Sequence, residues 1–371
     1  MTEKIHRSKA LIVSLNFNPG HVSHLVASYR QMEELGYDAI MYVEKTFADF
    51  MPEGIKIVTS TQQVPQCAVA FILFPSLHNL PLISRLRRLG ARICYIFHEP
   101  MKNLKHYRKA GVPYKSLAKL WVINRVNIMT IKRCHTILLP SHKAERYYAA
   151  NPAYNNRNTM YLPLMFDDES TSYIDMKRQY ISYIGTVAAD HSFNEFLDFV
   201  SDAVSDDRLP QCKFLIATKS KFELPERLAG SHRVKVMKGR PLTNDEINRA
   251  YASSLVIWNA YARTTQSGVL AKAYMFGTPA IVLEQNLNEF MINHSTVEAV
   301  TDNKNTEMVM ERVKRIVNDF DRYSASCRHF FLENFYYRRY NEAIRCALLT
   351  NVNRGGVIWL NHFIISERRA S

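Results

Sequence analysis

Short apolar runs, each the length of a strand, recur along this chain and alternate with segments whose apolar residues fall at helical spacing. Residues 10–16 read as a first strand. Val22, Leu25, Val26, Tyr29, Met32 and Leu35 then repeat as on one face of a helix, which Gly36 stops. Residues 39–43, 55–58, 67–74 and 92–97 read as further strands. Leu82, Ile83, Leu86 and Leu89 mark a helix before the last of them. A second series begins at residues 180–184 and continues at 213–217, 234–237, 255–258 and 280–282. Strands alternating with helices predict parallel sheets covered on both faces. In such sheets ligands bind where strands end. Gly20-His21 and His98-Glu99 both fall at such ends. The 371 residues suit two or three domains, and 47% hydrophobic content suits packed cores.

Within the second series, residues 255–284 read as strand, polar loop, short helix, stop and strand. Leu255 to Trp258 is continuously apolar, as in a strand buried on both faces. Gly277 and Pro279 stand where a helix C-cap and its following proline are expected. The loop Thr264-Thr265-Gln266-Ser267-Gly268 would present backbone N–H groups at the helix N-terminus. Such a terminus favours anions, through both the N–H groups and the helix dipole. Gly268 would let a phosphate approach the backbone.

This stretch resembles the nucleotide-sugar loop of GT-B glycosyltransferases, in particular the large family-4-like group of bacterial surface-glycan enzymes. Ala273-Tyr274-Met275-Phe276-Gly277-Thr278-Pro279 matches the turn after the family's helix, and Gln266-Ser267-Gly268 matches a bacterial variant of its loop. Residues 160–167 resemble the crossing between the two family domains, and Pro140-Ser141-His142 resembles a family turn. The resemblance spans about residues 10–349. It implies an α/β GT-B fold: two Rossmann-like domains whose parallel sheets face each other across a cleft, with a C-terminal helix crossing back. The expected divisions are 1–165 for an acceptor- and membrane-facing domain and 166–322 for a nucleotide-sugar domain. The crossover helix would occupy 323–349 and a tail 350–371.

The resemblance also implies site residues. His98 matches a family histidine that faces the reacting sugar, with Glu99 beside it as base or ion-pair partner. Donor contacts fall on Gly185, Thr186, His191, Thr265, Gln266, Ser267, Gly268, Val269 and Lys272, and Gly20 and His21 belong to the acceptor side, on the first-domain loop. The sequence departs from the family at four points. Thr264 and Lys272 stand where two glutamates are usual, and Thr186 and His191 stand where an Arg and a Lys contact the donor pyrophosphate. Lys219, Lys238 and Arg240, on loops after strands, could supply the missing positive charge. Ser192 with Glu195, and Thr243 with Glu246, read as capping boxes.

Charge is concentrated in one region. Residues 81–144 hold fourteen Lys and Arg against the single acid Glu99, a net +13 of the chain's +14. This implies an anionic partner, such as membrane headgroups or a lipid pyrophosphate. Lys102, Lys105, Arg108 and Lys109 interleave with aromatics and lead to Trp121, a pattern suited to an anionic bilayer surface. An ordinary solvated basic surface is the alternative. The longest apolar run, residues 67–74, is far short of a membrane span, and no signal peptide is seen at residues 1–9. The six cysteines form no metal or redox motif, which fits a reducing cytoplasm. No metal-ligand spacing, P-loop or nucleophile elbow occurs.

The favoured expectation is a cytoplasmic, peripheral membrane glycosyltransferase at the inner face of the cytoplasmic membrane. It would move a sugar from a nucleotide-diphosphate donor to a hydroxyl of a lipid-linked glycan, without metal or other cofactor. The alternative is a non-catalytic GT-B-like nucleotide-binding or scaffold subunit, supported by the missing glutamates. Nucleic-acid binding has charge alone in its favour, and no nucleic acid is expected as partner. A non-glycosyl enzyme on the same fold, such as a sugar-nucleotide epimerase, stays open.

Overall fold

The computed structural model describes residues 7–98, 100–101, 108, 114–154, 158–188, 191–205, 208–262, 267–292 and 294–349. The chain divides into two compact units. Residues up to 165, together with those from 337 onward, form the first, and 166–336 form the second.

In the first unit the elements alternate as β1 (Lys9–Ser14), α1 (Val22–Glu34), β2 (Asp38–Val43), β3 (Ile57–Val58), β4 (Val69–Ile72), α2 (Asn79–Arg88), β5 (Arg92–Ile96), α3 (Tyr114–Ile131), β6 (Thr136–Leu139), α4 (His142–Ala149) and β7 (Asn158–Tyr161). Among the described residues the strands make one parallel sheet in the order β3-β2-β1-β4-β5-β6-β7. The apolar runs are its interior. Leu11, Val13, Ile72, Ile93 and Ile137 are buried with Leu82, Ile83 and Leu86 of α2. Ser141 caps α4 by accepting the Ala144 N–H at 3.1 Å. The seventh strand was absent from the sequence reading. Its edge position leaves Asn158, Thr159 and Tyr161 only half-buried, so its apolar signal is weak.

The second unit contains β8 (Tyr180–Ile184), α5 (Phe193–Ser205), β9 (Lys213–Ala217), α6 (Glu226–Ala229), β10 (Val234–Met237), α7 (Asn244–Ala252), β11 (Ser254–Asn259), α8 (Gly268–Met275), β12 (Ala280–Leu283), β13 (Val297–Val300), α9 (Thr306–Asn318) and α10 (Phe320–Asn334). Its parallel sheet runs β10-β9-β8-β11-β12-β13. Trp258, one residue before the end of β11, packs on Phe196 and Phe199 of α5, and its indole N–H donates to the Ser192 carbonyl at 3.2 Å. Thr243 and Glu246 form the expected capping box of α7. Ser192 differs from expectation. Its φ of 52° is left-handed, whereas a capping residue is extended, and its carbonyl accepts from both the Phe196 N–H and the Trp258 indole. Gly277 ends α8 at φ 64°, and a Cβ there would sit 2.6 Å from Ser324 Oγ. Only glycine meets both demands.

The return to the first unit begins later than the expected residue 323. Helix α10 packs on α8 inside the second unit, and the chain joins the first unit from Tyr337. There α11 (Asn341–Leu349) follows. Glu34 of α1 accepts from Tyr337 Oη at 2.6 Å, Asn341 Nδ2 at 3.0 Å and Arg338 Nη2 at 2.8 Å. Gln31 Nε2 donates to the Tyr337 carbonyl at 3.1 Å. Residues 350–371, the expected tail, lie outside the described residues. No described helix is long and apolar enough to cross a membrane.

Candidate functional site

Each sheet has a switch point, where neighbouring strands send their connections to opposite faces and open a crevice beyond their C-terminal ends. In the first sheet it lies between β1 and β4, and in the second between β8 and β11. The sequence-predicted residues gather at both.

In the first unit, Gly20 and His21 follow β1, Phe74 follows β4 and His98 follows β5. The His21 ring stacks on Phe74 at 3.5 Å between centroids, and Phe74 stacks on His98 at 4.7 Å, both within 7° of parallel. Phe74 was not among the expected site residues; it belongs to an apolar run whose end no motif marks. Asn18 Oδ1 accepts the Gly20 N–H at 3.2 Å and fixes the turn. His98 Nε2 lies 2.8 Å from the Leu73 carbonyl, so this nitrogen carries the hydrogen and Nδ1 is the accepting one. Burial, and then the neighbouring His24, push the His98 imidazole down to about 3. An unperturbed histidine would titrate near neutrality; this one does not. His98 is uncharged near neutrality and suited to hydrogen bonding, not proton donation. Glu99 lies outside the described residues.

In the second unit, Gly185 ends β8 at φ 146°, and a Cβ on it would lie 3.5 Å from Tyr261 Oη and 4.0 Å from Val269 Cγ2. Two chain segments about 80 residues apart thus meet at the start of α8. Tyr183 Oη and His191 Nδ1 both donate to the Thr186 carbonyl at 2.8 Å, and Ser220 Oγ accepts the Val187 N–H at 3.1 Å. The loop after β8 is pinned on three sides. His191 stacks on Tyr261 at 4.4 Å and 11°. Ser267 caps α8 by accepting the Leu270 N–H at 3.3 Å and donates its own hydrogen to Asn259 Oδ1 at 2.9 Å. Gly268 and Val269 are the first two helical residues, so their N–H groups belong to the open N-terminus. Asn259 is 2% exposed, and its Nδ2 has no hydrogen-bond partner among the described residues. A buried amide donor left unpaired costs about 1–3 kcal/mol, which an anionic or carbonyl ligand would relieve. Thr265 and Gln266 lie outside the described residues.

The candidate cations separate on inspection. Lys238 donates to the Phe222 carbonyl at 2.7 Å, and Arg240 is paired with Glu246 on α7. Lys272 is buried, and its ammonium donates to Asn244 Oδ1 at 2.8 Å. Burial lowers its pKa against the opposing pull of Glu169. These three are held by other groups. Lys219, half-buried just past β9, has no hydrogen-bond or ion-pair partner among the described residues, and burial lowers its pKa. It adjoins Ser220, the residue that holds the loop after β8. Asn259 and Tyr261 were missed as site residues. A polar residue closing an apolar strand was the available signal for Asn259; nothing local marks Tyr261. Among the described residues no three His, Cys, Asp or Glu side chains converge as a metal set would.

Of the membrane candidates, Trp121 is exposed on α3, and Arg108 is exposed with its guanidinium 5.9 Å from the Tyr114 ring. Lys102, Lys105 and Lys109 lie outside the described residues.

No protein-family model matches the chain, and no curated protein matches it in sequence. Solved structures match its fold along nearly its whole length. A glycosyltransferase from Rickettsia africae is 12% identical, with a TM-score of 0.66 and coverage of 94% of this chain and 100% of that one. Sucrose-phosphate synthase from Thermosynechococcus elongatus is 11% identical, with a TM-score of 0.64 and coverage of 92% and 98%. Anabaena HepE, solved with UDP and glucose, is 11% identical, with a TM-score of 0.64 and coverage of 92% and 99%. The chain has the two-sheet α/β fold of GT-B glycosyltransferases, as its motifs implied.

Proposed function

We propose that this chain is a glycosyltransferase that moves a sugar from a nucleotide-diphosphate donor to a hydroxyl of a lipid-linked glycan. The observation that carries the reading is the convergence at the second switch point. Gly185, Tyr261 and Val269 meet where α8 begins, and neither Asn259 Nδ2, at the end of β11, nor Lys219, next to the Ser220 that holds the loop after β8, has a hydrogen-bond partner among the described residues. As a diphosphate leaves, negative charge grows on its bridging oxygen. Donors already fixed in place stabilise that charge without reorganising. The helix N-terminus, Asn259 Nδ2 and the Lys219 ammonium are such donors, and the proposal gives them the charge without a metal. We assign the acceptor to the first switch point, where the neutral His98 offers a hydrogen-bonding nitrogen to a sugar hydroxyl. HepE was solved with UDP-glucose as well as with UDP, which supports a nucleotide sugar as donor here.

The lipid-linked acceptor and attachment at the inner membrane face are supported by the +13 of residues 81–144. Each cation near an anionic surface contributes about 1 kcal/mol. Changing Lys102, Lys105, Arg108 and Lys109 together to Gln should weaken binding to anionic vesicles.

A second reading, a nucleotide-binding subunit without turnover, is favoured by one observation. Lys272 stands at a usual glutamate position and is committed to Asn244. The deciding experiment titrates the protein with UDP, GDP, ADP and CDP by calorimetry, then measures release of diphosphate from the matching nucleotide sugars. Binding with turnover supports the enzyme. Binding without turnover for any donor supports the second reading, and no binding to any nucleotide refutes both.

A further inference from the structure

We infer that the first unit carries an arginine clamp for the phosphate of a bilayer headgroup, separate from both switch points. A cleft of about 360 Å³ is lined by Ser84, Arg87, Arg88 and Arg133. Helices α2 and α3, which bring them together, pack on one another. Both helices end just before the strand that follows, so their last turns lie at the sheet edge where strands begin. Gly20, His21 and His98 lie beyond the opposite edge.

Three arginines line one open cleft, and no carboxylate residue is among its lining. None of them is ion-paired among the described residues, and Glu99 is the sole acid from residue 54 to 144. Their other contacts leave most of their donors available. Arg133 Nη1 donates to the Met129 carbonyl at 3.0 Å and Arg88 Nε to the Ser84 carbonyl at 3.5 Å. Arg87 has no partner among the described residues. Neighbouring Arg85 differs, since it donates to the carbonyls of Thr61 and Val64 and serves the fold. Arginine presents a rigid fork of donors that matches phosphate oxygens, and an anion among three such residues would offset the repulsion that water and salt leave between them.

A second observation identifies the carrier of that phosphate. Along α3, Tyr114, Trp121, Val122, Arg125 and Met129 are all exposed, with 74% of Tyr114 and 47% of both Trp121 and Val122 open to solvent. At 100° per residue, Val122, Arg125 and Met129 fall within one stripe about 60° wide, with Tyr114 and Trp121 on its flank and Arg133 in the turn two residues past the helix end. The apolar stripe therefore leads down the helix into the clamp. Arg125 lies 5.3 Å over the Trp121 ring. Exposed Val and Met beside phosphate-binding arginines suit the boundary between headgroups and acyl chains. On a nucleic acid the aliphatic side chains would have no counterpart. The inference deepens the membrane part of the proposed function and rests on it for the partner; it does not need the transfer reaction.

The test sediments the full-length protein with vesicles of phosphatidylcholine alone, of phosphatidylcholine with phosphatidic acid, and of phosphatidylcholine with oleate. The wild type should bind only the phosphatidic-acid vesicles strongly, and inorganic phosphate should compete better than chloride at equal ionic strength. R87Q/R88Q/R133Q should bind at least tenfold more weakly at an unchanged melting temperature. Should that triple variant fail to fold, W121S/V122S and the phosphate competition carry the test, with the same tenfold loss expected. Triple-variant binding equal to wild type overturns the clamp, as does equal wild-type binding to oleate and phosphatidic-acid vesicles. Arginine-dependent binding of inorganic phosphate or RNA, without vesicle binding, overturns the bilayer as the partner. Nucleoside-diphosphate affinity is read in parallel. Its absence alongside clamp-dependent vesicle binding sinks the donor reading alone, and its presence without vesicle binding sinks the clamp alone.

Discussion

His98 has its hydrogen committed to the Leu73 carbonyl and its ring stacked on Phe74, so its protonation state is set by the fold. With the imidazole pushed down to about 3, no change in its charge occurs between pH 5 and 8. A rate profile across that range should therefore carry no limb that disappears in His98→Gln. His98→Ala should lower turnover about tenfold to a hundredfold with little change in donor affinity, as for loss of a hydrogen bond strengthened as charge develops. Wild-type turnover in the folded variant would remove His98 from the reaction. Lys219 makes the opposite pH argument. Burial lowers its pKa, so its ammonium deprotonates at a pH below the ordinary lysine value of about 10.4. Diphosphate affinity that depends on the ammonium should fall as pH rises through that lowered pKa. Binding at alkaline pH should take up a proton, because the bound anion favours the charged form. Lys219→Met should weaken nucleoside-diphosphate binding about tenfold or more and flatten its alkaline pH dependence. Isothermal titration at several pH values in two buffers of different ionisation enthalpy measures both effects.

Helix α8 shows what an element can reveal before its neighbours are known. Strand β11, the Gly277 stop and strand β12 were legible because each is a local signal: an apolar run, a glycine before Thr-Pro and a second apolar run. The edge strand β13 was not, since half-buried Val297, Glu298 and Ala299 give no run to read. What lies around α8 was likewise illegible. Gly185 and Tyr261 meet through sheet order, and Lys272 turns to Asn244 on a different helix; neither pairing has a sequence spacing that announces it. The N-terminus of α8 yields a prediction of its own. Gly268→Val should weaken nucleoside-diphosphate binding about tenfold by blocking backbone approach, with a nearly unchanged melting temperature. Ser267→Ala should cost about 1 kcal/mol of stability, the usual loss for a helix cap, and should also free Asn259 Oδ1. Calorimetric titration and chemical denaturation separate the two. Unchanged affinity in Gly268→Val would remove this terminus from the donor site.

At the scale of the whole chain, the second unit interrupts the first, which is completed only when the chain returns at Tyr337. The resemblance implied a return from residue 323, whereas α10 packs on α8 within the second unit. The actual boundary is written in polar contacts. Glu34 on α1 gathers Tyr337, Arg338 and Asn341, and Gln31 takes the Tyr337 carbonyl. Such contacts span about 300 positions and leave no periodicity. Burial by itself would raise the Glu34 carboxyl, but hydrogen bonds from Tyr337, Asn341 and Arg338 outweigh it and hold it below its ordinary value. The sign follows from that lowering. The charged form is favoured in the fold, so the anchorage is complete above the unfolded carboxylate value, about 4.3, and is lost as pH falls through the lower folded value. Glu34→Gln keeps the size of the side chain but removes its charge and part of its accepting capacity. It should cost about 1 kcal/mol, since the residue is exposed and water screens part of its charge-assisted hydrogen bonding. Its effect should be local. Amide hydrogen exchange of residues 337–349 should quicken by about tenfold at neutral pH, while exchange in β8, β11 and α8 and nucleoside-diphosphate affinity stay at wild-type values. The wild type should show the same selective quickening when acidified through the folded Glu34 pKa, and the variant should no longer respond there. Unchanged exchange of residues 337–349 in the variant would mean that Glu34 does not hold the returning segment, and that its apolar packing alone does.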